Sequence, residues 1–283
     1  MKKLVCIFVL VLLLIPLQTV AAKGRSENSI RLYADQVSGA NDIEAAIIAV
    51  TADGKRPGTV ILDGWHGPFI FSGEDRTINI FVSNLKIRGE NQAILQNCAS
   101  GLFFDTFPVH DIAVENISFH CEVDGVIVPG TVQNVSLRNN VFQASNFGVG
   151  VGGASSGWVI TDNQIQADNG IMLEGVSNST ITNNRITAIN AVMLVNSSGC
   201  TVRNNALQGE FLGVSLEQGA WQNQVQANWI SGVSMGGIHL DLGVYDNLVV
   251  GNKVRCGPGL TCLVIDAAPE AMEANQIEGN RFY

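Results

Sequence analysis

The sequence predicts an all-β protein, a solenoid in which short parallel strands stack coil upon coil. Two short phrases carry this prediction, because they recur in alternation along most of the chain. The asparagines of one phrase are 23, 21, 21, 23, 24 and 28 residues apart. Repeat families built from helices have longer periods, so a coil of short strands fits this interval better.

Residues 1–22 predict a secretory signal peptide. Two lysines precede an apolar core over residues 4–17, and small residues up to Ala22 provide a cleavage site. The apolar core is shorter than the ~20 residues of a membrane span, so we expect no membrane anchor. The expected mature protein starts near Lys23 and is secreted or periplasmic.

The charge balance limits the partners of the protein. The full chain has 16 lysines and arginines and 25 acidic residues, a formal charge of −9, and loss of the two lysines of the signal peptide makes it −11. This charge disfavours nucleic acid and anionic membranes as partners. A polyanionic sugar would need a local basic patch or bridging cations.

Residues 23–84 predict an N-terminal cap and the first irregular coils. One amphipathic helix follows a capping-box pattern at residues 41–44 and ends near Gly54. Strand-like runs come next. They lie at residues 59–62, 69–71, 78–82 and 85–87. A helix placed before the first coil covers the open end of the stack, where unpaired backbone groups invite aggregation.

Residues 85–283 predict the regular repeats of the solenoid. In one phrase, two apolar positions are separated by a single variable residue, as expected for a short strand. It occurs at residues 102–104, 126–128, 149–151, 171–173, 192–194, 214–216, 238–240 and 263–265. The two-residue period of a strand places the apolar ends inside and the middle residue outside.

The second phrase is an aliphatic residue, two mostly polar positions, an asparagine, any residue and an apolar residue. Its asparagines are Asn140, Asn163, Asn184, Asn205, Asn228, Asn252 and Asn280. Asparagine tolerates the left-handed backbone region, so we expect it at a sharp bend between strands. At a coil spacing of about 4.8 Å, these amides can hydrogen-bond up and down as a ladder.

Five cysteines remain after the signal peptide. Cys98 and Cys121 are one repeat apart, and Cys256 and Cys262 flank a Gly-Pro-Gly loop, so both pairs are candidate disulfides. The alternative for Cys98 and Cys121 is that they are small buried residues, and we favour burial for Cys200. Because there is no CxxC or Cys/His cluster, we expect no zinc site and no bound metal.

The two phrases together resemble a known family of repeats. Gly170-Ile171-Met172-Leu173, followed by residues 179–186, is similar to the right-handed parallel β-helix repeats of the pectate-lyase-like superfamily. The resemblance covers residues 85–283 and implies a right-handed parallel β-helix of about eight to nine coils with an N-terminal capping helix. Its members include polysaccharide lyases, glycoside hydrolases, uronan epimerases and proteins with no known activity. The fold alone therefore does not predict which reaction, if any, the protein catalyses.

The family's catalytic motifs are absent. Polygalacturonase-like hydrolases carry Asn-Thr-Asp, Asp-Asp and Gly-His-Gly on successive coils, and alginate epimerases carry Asp-Pro-His-Asp; neither set occurs. The resemblance still implies that a substrate lies along the outer face of the eight predicted strands. On that face, Glu217, Asp241 and Asp266 follow three consecutive strands, with backbones about 4.8 Å apart.

These acids, with His239, are the candidate catalytic residues. Neighbouring carboxylates disfavour ionisation of both, so one can stay protonated as general acid while another acts as base. His239 points out of the same strand as Asp241 and can serve as acid, base or sugar contact. The candidate substrate-binding residues of the same face are Glu174, Met172, Met193 and Ser215.

Three alternatives stay open. The acids can be solvated surface groups of a non-catalytic extracellular carbohydrate-binding or structural protein. They can also bind Ca²⁺, which bridges to a uronate. A polysaccharide lyase or epimerase is less favoured, because the basic residues fall on the other strands. These are Arg138, Arg185, Arg203, Lys253 and Arg281. The expected partner is a polysaccharide, and the exposed C-terminal coil is a candidate contact between identical subunits.

Overall fold

The computed structural model describes residues 28–52, 54–74, 76–105, 108–266 and 274–283. The predicted signal peptide lies outside these residues. The described chain is a right-handed parallel β-helix of about nine turns with one α-helix near its N-terminus, so the predicted fold class is confirmed. None of the described helices has the length and apolar character needed to cross a membrane.

The described structure contains the helix α1 (Ala40–Thr51), two short 3-10 helices (Ala34–Gln36 and Gly64–His66) and twenty-five strands. The strands are β1 (Ser29–Tyr33), β2 (Gly58–Asp63), β3 (Phe69–Ile70), β4 (Ile78–Ile80), β5 (Leu85–Glu90), β6 (Ile94–Phe104), β7 (Val109–Glu115), β8 (Ser118–Val128), β9 (Val132–Arg138), β10 (Val141–Gln143), β11 (Phe147–Val151), β12 (Val159–Thr161), β13 (Gln164–Glu174), β14 (Thr180–Thr182), β15 (Arg185–Val195), β16 (Thr201–Arg203), β17 (Ala206–Glu217), β18 (Gln224–Gln226), β19 (Trp229–Val233), β20 (Gly236–Leu240), β21 (Leu248–Val250), β22 (Lys253–Cys256), β23 (Leu263–Ile265), β24 (Gln276–Glu278) and β25 (Arg281–Phe282).

Each coil has three faces. Face 1 is an eleven-stranded parallel sheet in the order β1-β2-β5-β7-β9-β12-β14-β16-β18-β21-β24. A second sheet of fourteen strands is bent, so that it supplies two faces. In β15, residues 185–188 belong to face 2, residues 192–195 belong to face 3, and the chain bends between them near Asn190. The same division applies to β13 and β17, which pair with β15 along both faces.

The eight predicted strands of face 3 lie in the predicted register. Their first residues pair in one unbroken column: Leu102, Val126, Val149, Ile171, Val192, Val214, Ile238 and Leu263. A ninth strand, β4, extends the column because Ile78 pairs with Leu102. The apolar ends of these strands are largely buried and form part of one continuous core.

The N-terminal cap packs α1 against β2 and β4. The buried face of the helix contains Ile43, Ile47 and Val50. The predicted capping box is wrong in detail, because α1 begins at Ala40 and the acid at position 44 bonds elsewhere. Glu44 Oε1 accepts hydrogen bonds from the backbone and side chain of a residue in β4, at 2.6 and 2.7 Å. This acid therefore ties the helix to the first coil of face 3.

The predicted asparagine ladder is present, and it is buried except at its last member, Asn280, which is half-buried. In each step, a backbone N–H donates to the Oδ1 of the asparagine one coil further on, as from Asn163 to Asn184 at 2.9 Å. The Nδ2 of Asn184 donates back to the carbonyl of Ile160 at 2.8 Å. The ladder runs through Asn140, Asn163, Asn184, Asn205, Asn228, Asn252 and Asn280.

The predicted backbone conformation of the ladder asparagines is wrong. The left-handed residue is the one immediately before each of them. These residues are Asn139, Asp162, Asn183, Asn204, Ala227, Gly251 and Gly279. The preceding residue makes the bend, which leaves the ladder asparagine free to turn its amide inward and bond along the stack. The position of the ladder asparagines and their hydrogen bonding along the stack were predicted correctly. The residue that adopts the left-handed conformation was not.

The structure pairs both candidate disulfides. Cys98 and Cys121 join β6 to β8 in adjacent coils, and Cys256 joins Cys262 across the Gly-Pro-Gly loop. Cys200 is free and buried. Burial raises the pKa of the Cys200 thiol to about 11, so the thiol stays protonated at neutral pH.

The C-terminal coil is the edge of the described stack. β24 is the last strand of the face 1 sheet, and β25 is the last strand of the second sheet on face 2. Exposed apolar side chains at this end include Phe282 and Tyr283. Association of two copies through this edge stays a prediction.

A polar network anchors the edge of the cap. Asp63 in β2 accepts hydrogen bonds from Asn91 Nδ2 at 2.8 Å and from the backbone of Trp65 at 3.1 Å, and it pairs with Arg31. Arg31 also contacts Glu90 at 2.6 Å. The Asn91 hydrogen bond is the main cause that lowers the pKa of Asp63, against the opposing effect of burial.

Loss of one ladder amide is expected to destabilise the fold. In Asn205→Ala, the backbone and side-chain donors of Asn184 lose the Oδ1 acceptor that they reach at 2.8 and 3.0 Å. Buried donors without partners cost about 1–3 kcal/mol each, so we expect a loss of at least about 2 kcal/mol. Urea denaturation measures this loss. The exposed Gln208→Ala in the same coil is the control, and equal midpoints for the two variants would contradict a stabilising ladder.

The cap network is expected to make stability depend on acid pH. Because the folded pKa of Asp63 is lowered, its contribution is full above the ordinary aspartate pKa of about 3.9 and is lost as the pH falls through the lower folded value. Asp63→Asn should therefore reduce the melting temperature at neutral pH and flatten its fall in acid. The exposed Asp246→Asn is the control. Parallel melting curves for Asp63→Asn and the wild type at every pH would argue against this role.

Candidate functional site

The middle residues of the face 3 strands form one column along the helix axis. They are Phe103, Ile127, Gly150, Met172, Met193, Ser215, His239 and Val264. The expectation that all of them are exposed is wrong. Met172 and Met193 are half-buried, whereas Ser215 is fully buried and His239 is 8% exposed. Ser215 is small and lies in register between the larger Met193 and His239, so its neighbours cover it.

His239 and two aspartates meet where β20 and β23 end. His239 Nε2 lies 2.9 Å from Asp266 Oδ2 in the next coil. One ligand atom from each of His239, Asp241 and Asp266 lies within 4.8 Å of the others. The Asp266 side chain is 53% exposed, so the cluster opens to solvent through this carboxylate. Among the described residues, His239 Nδ1 is buried and has no hydrogen-bond partner.

Glu217 is held one coil before this cluster. The hydroxyl of Ser215 donates a hydrogen bond to Glu217 Oε1. The backbone N–H of Asp241 donates to the carbonyl of Leu216 at 3.0 Å, which places Asp241 directly beside the end of the Glu217 strand. The structure thus puts the three predicted acids on consecutive coils and brings His239 into contact with one of them. Ser215, expected to bind substrate, instead positions Glu217.

A groove of about 610 Å³ lies on the same face, closer to the N-terminus. Two of the candidate substrate-binding residues, Met172 and Glu174, line it, and Met193 does not. The groove exists because glycine occupies the outward positions of one coil. Within 4 Å of a Cβ atom at Gly152, the described structure places one atom, the carbonyl oxygen of Val128 at 3.3 Å, so the space outside this residue is open. With no side chains there, the larger residues of the coils on either side form its walls.

Two aromatic side chains at the turn beside the acids were not predicted. The rings of Trp221 and Tyr245 are stacked, with centroids 6.2 Å apart and planes 9° from parallel. Each lies four residues after an acid of the candidate site, Trp221 after Glu217 and Tyr245 after Asp241. This shared spacing of four residues is visible in the sequence and would have predicted that the two aromatic residues lie in adjacent coils. The stack forms a rim between the site and face 1.

The donor atoms of the cluster suit a divalent metal ion. His239 offers an imidazole nitrogen, and Asp241 and Asp266 offer carboxylate oxygens. Calcium prefers oxygen ligands alone, whereas zinc and manganese also accept imidazole nitrogen. The sequence predicted no bound metal, with calcium as the alternative. The donor set of this cluster suits a transition metal better than calcium.

The predicted separation of basic residues from this face holds. Arg138 and Arg203 end strands of face 1. Arg185, Lys253 and Arg281 begin strands of face 2. None of these five residues therefore lies on a strand of face 3 beside the acids.

The comparisons with known proteins agree with this architecture. The model of the family described as "Right handed beta helix region" matches residues 79–254. The chain belongs to this family. The predicted resemblance to the pectate-lyase-like superfamily is confirmed at the level of the fold. No curated protein matches this right-handed β-helix chain.

Several solved structures are similar to this right-handed β-helix protein. DFA-IIIase from Arthrobacter chlorophenolicus A6, in complex with GF2, is 14% identical with a TM-score of 0.57, over 91% of this chain and 84% of that one. The periplasmic alginate epimerase AlgG is 12% identical with a TM-score of 0.44, over 80% and 77%. The A-module of the Azotobacter vinelandii mannuronan C-5 epimerase AlgE4 is 14% identical with a TM-score of 0.42, over 89% and 99%.

Proposed function

We propose that the protein is a secreted or periplasmic glycoside hydrolase that binds a polysaccharide along face 3. The contact between His239 and Asp266, with Asp241 beside them, is the observation that carries this proposal. It joins a buried imidazole to one carboxylate, with a second carboxylate within 4.8 Å, on the face that the superfamily resemblance assigns to substrate. The signal-peptide pattern of residues 1–22 and the two disulfides support an oxidising compartment.

Asp241 and Asp266 are the proposed acid and nucleophile. The His239 Nε2 atom contacts Asp266 Oδ2 at 2.9 Å, which orients this carboxylate as the nucleophile. Asp241 is the proposed general acid. It gives its proton to the glycosidic oxygen as Asp266 attacks the anomeric carbon, and it then takes a proton from the water that releases the sugar. His239 is a positioning residue for Asp266.

The separation of the two aspartates favours retention of configuration. Their nearest donor atoms lie within 4.8 Å. Retaining glycosidases hold their carboxyl groups about 5–5.5 Å apart, and inverting ones about 6.5–9.5 Å apart. Glu217 stands one coil away, where it can bind the neighbouring sugar.

The groove extends this site along the helix axis. Glu174 pairs in register with Val195, which pairs with Glu217, so the groove and the acids lie on one line. At about 4.8 Å per coil, Glu174 and Glu217 are about 10 Å apart. A linear polymer lying along this line would contact Met172 and Glu174 in the groove and the aspartates beyond it. Glu174 is the only acidic residue among those that line the groove, so this part of the face would bind the polymer without cleaving it.

Removal of either aspartate is expected to abolish cleavage. Asp241→Asn and Asp266→Asn should each lower the rate by at least about 100-fold, because each removes a group that transfers a proton or forms a bond. Reducing-end release from plant, algal and bacterial polysaccharides measures the rate. The exposed Glu278→Gln on face 1 is the matched control. Proton NMR of the first product should show the retained anomer.

Three outcomes would count against this site. Cleavage that survives in both aspartate variants would place the chemistry elsewhere. An inverted first product would reject Asp266 as nucleophile. Binding without cleavage by the wild type would favour the non-catalytic carbohydrate-binding alternative.

A metal-dependent lyase or epimerase acting on uronates is the second candidate. The mixed nitrogen and oxygen donors of His239, Asp241 and Asp266 favour it. When bound, a divalent cation supplies a Lewis acid for the uronate carboxylate. The three residues would hold the cation, and Glu217 stands one coil away as a candidate base.

Chelation separates the two candidates. For a hydrolase that works by carboxylates alone, EDTA treatment followed by dialysis should leave reducing-end release unchanged. For the metal-dependent candidate, it should remove activity, and Mn²⁺ or Zn²⁺ should restore it better than Ca²⁺. The ultraviolet absorbance of unsaturated uronates then reports lyase products. Full activity after chelation would rule out the metal-dependent candidate.

A further inference from the structure

We infer that face 2 carries a separate binding strip for an anionic polysaccharide, centred on Trp229. The strip consists of Trp229 and four cations, Arg185, Lys253, Arg255 and Arg281. It lies on a different face from Glu217, Asp241 and Asp266, and it does not depend on the proposed hydrolase activity.

Strand register aligns the strip along the helix axis. Arg185 pairs with Ala206, Ala206 with Trp229, Trp229 with Lys253, and Lys253 with Arg281. Arg255 lies beside this column, two residues after Lys253 on the same strand. At about 4.8 Å per coil, the column is about 19 Å long. It is thus a straight row that a linear polymer can follow.

The cations of this strip have no charged partners among the residues that the structure describes. Arg185, Lys253, Arg255 and Arg281 are exposed. Among the described residues, none of the four forms an ion pair or side-chain hydrogen bond, whereas four cations near the cap are engaged by carboxylates. Those paired residues are Arg31, Arg76, Lys86 and Arg88. In a chain with a formal charge of −9, such a cluster selects an anionic ligand by local rather than net charge.

The neighbouring acids leave the strip open. Asp168 and Glu210 are exposed at the bend between faces 2 and 3. Both lie on coils that contribute no cation to the strip, because the column positions of those coils are Gln164 and Ala206. These two acids therefore mark the edge of the strip nearest the bend, and they do not neutralise its cations.

A hollow beside Trp229 is shaped for one sugar ring. Its volume is about 180 Å³, and Arg185, Thr187, Gln208, Trp229 and Ser231 are among its lining residues. The small Ala206 forms the floor between Arg185 and Trp229 and leaves the indole 46% exposed. An indole packs against the apolar side of a sugar ring, and a guanidinium binds a carboxylate or sulfate through two hydrogen bonds.

The polar neighbours favour a glycan over a nucleic acid. Thr187, Gln208 and Ser231 can bond sugar hydroxyls, and they carry no charge. A nucleic acid would be attracted by the strip but repelled by the acidic remainder of the chain. We therefore expect the ligand to contain anionic sugars. Their negative charge can come from carboxylate or from sulfate groups.

Binding to polygalacturonate tests the strip. Isothermal titration of the full protein, in an Asp241→Asn background so that the probe stays intact, should show binding that weakens with salt. Fully methyl-esterified polygalacturonate is the uncharged control, and dextran sulfate is the sulfate probe. Trp229→Ala and the double variant Lys253→Gln/Arg255→Gln should each raise the Kd at least about fivefold. Circular dichroism checks that each variant is folded.

Arg138→Gln/Arg203→Gln is the matched control, because it removes the same charge from face 1 and should leave the Kd unchanged. Equal losses in the two double variants would overturn the strip, as would equal binding of the esterified polymer or absence of binding to both anionic glycans. Single-stranded DNA that binds as tightly as polygalacturonate would overturn the glycan assignment. Loss of hydrolysis in Asp241→Asn with binding intact would separate this strip from the face 3 site.

Discussion

The buried hydrogen bonds between ladder asparagines fix the distance and register of successive coils. Each amide accepts a backbone N–H from one neighbour and donates to a carbonyl of the same coil stack, as Asn184 does. A shift of one residue in any coil would break these bonds and turn inward residues outward. Every column of side chains on the three faces therefore depends on this ladder, including the acidic column of face 3 and the basic column of face 2.

Because the register is fixed, side chains at equivalent positions of successive coils form straight columns along the helix axis. The coil that carries Trp229 on face 2 carries Asp241 at the end of its face 3 strand, and the next coil carries Lys253 and Asp266 in the same way. The bend in each coil keeps the two lines on different faces. Opposite charges of adjacent coils thus do not cancel, and one short stretch of chain can offer an acid site and a cationic strip.

The parts of this structure that follow from local periodicity could be predicted from the sequence. The eight face 3 strands and the ladder are of this kind, because the two-residue alternation and the asparagine interval fix both. The burial of Ser215 and His239 could not be predicted, since it depends on the sizes of neighbours in other coils. The contact between His239 and Asp266 needs the rotamers of both side chains. The left-handed residue before each ladder asparagine was missed because the sequence there varies from asparagine to glycine and alanine.

A second ladder supports the coils of the candidate site. The backbone N–H of Cys200 donates to Asn223, that of Asn223 to Asn247 and that of Asn247 to Asn275, at 2.9, 2.9 and 3.0 Å. Asn223 lies six residues after Glu217, and Asn247 lies six residues after Asp241. The turn that follows each of these acids is therefore tied to the next coil by a buried amide. Such support holds side chains at strand ends in place before a ligand arrives, which is what both acid catalysis and metal binding require.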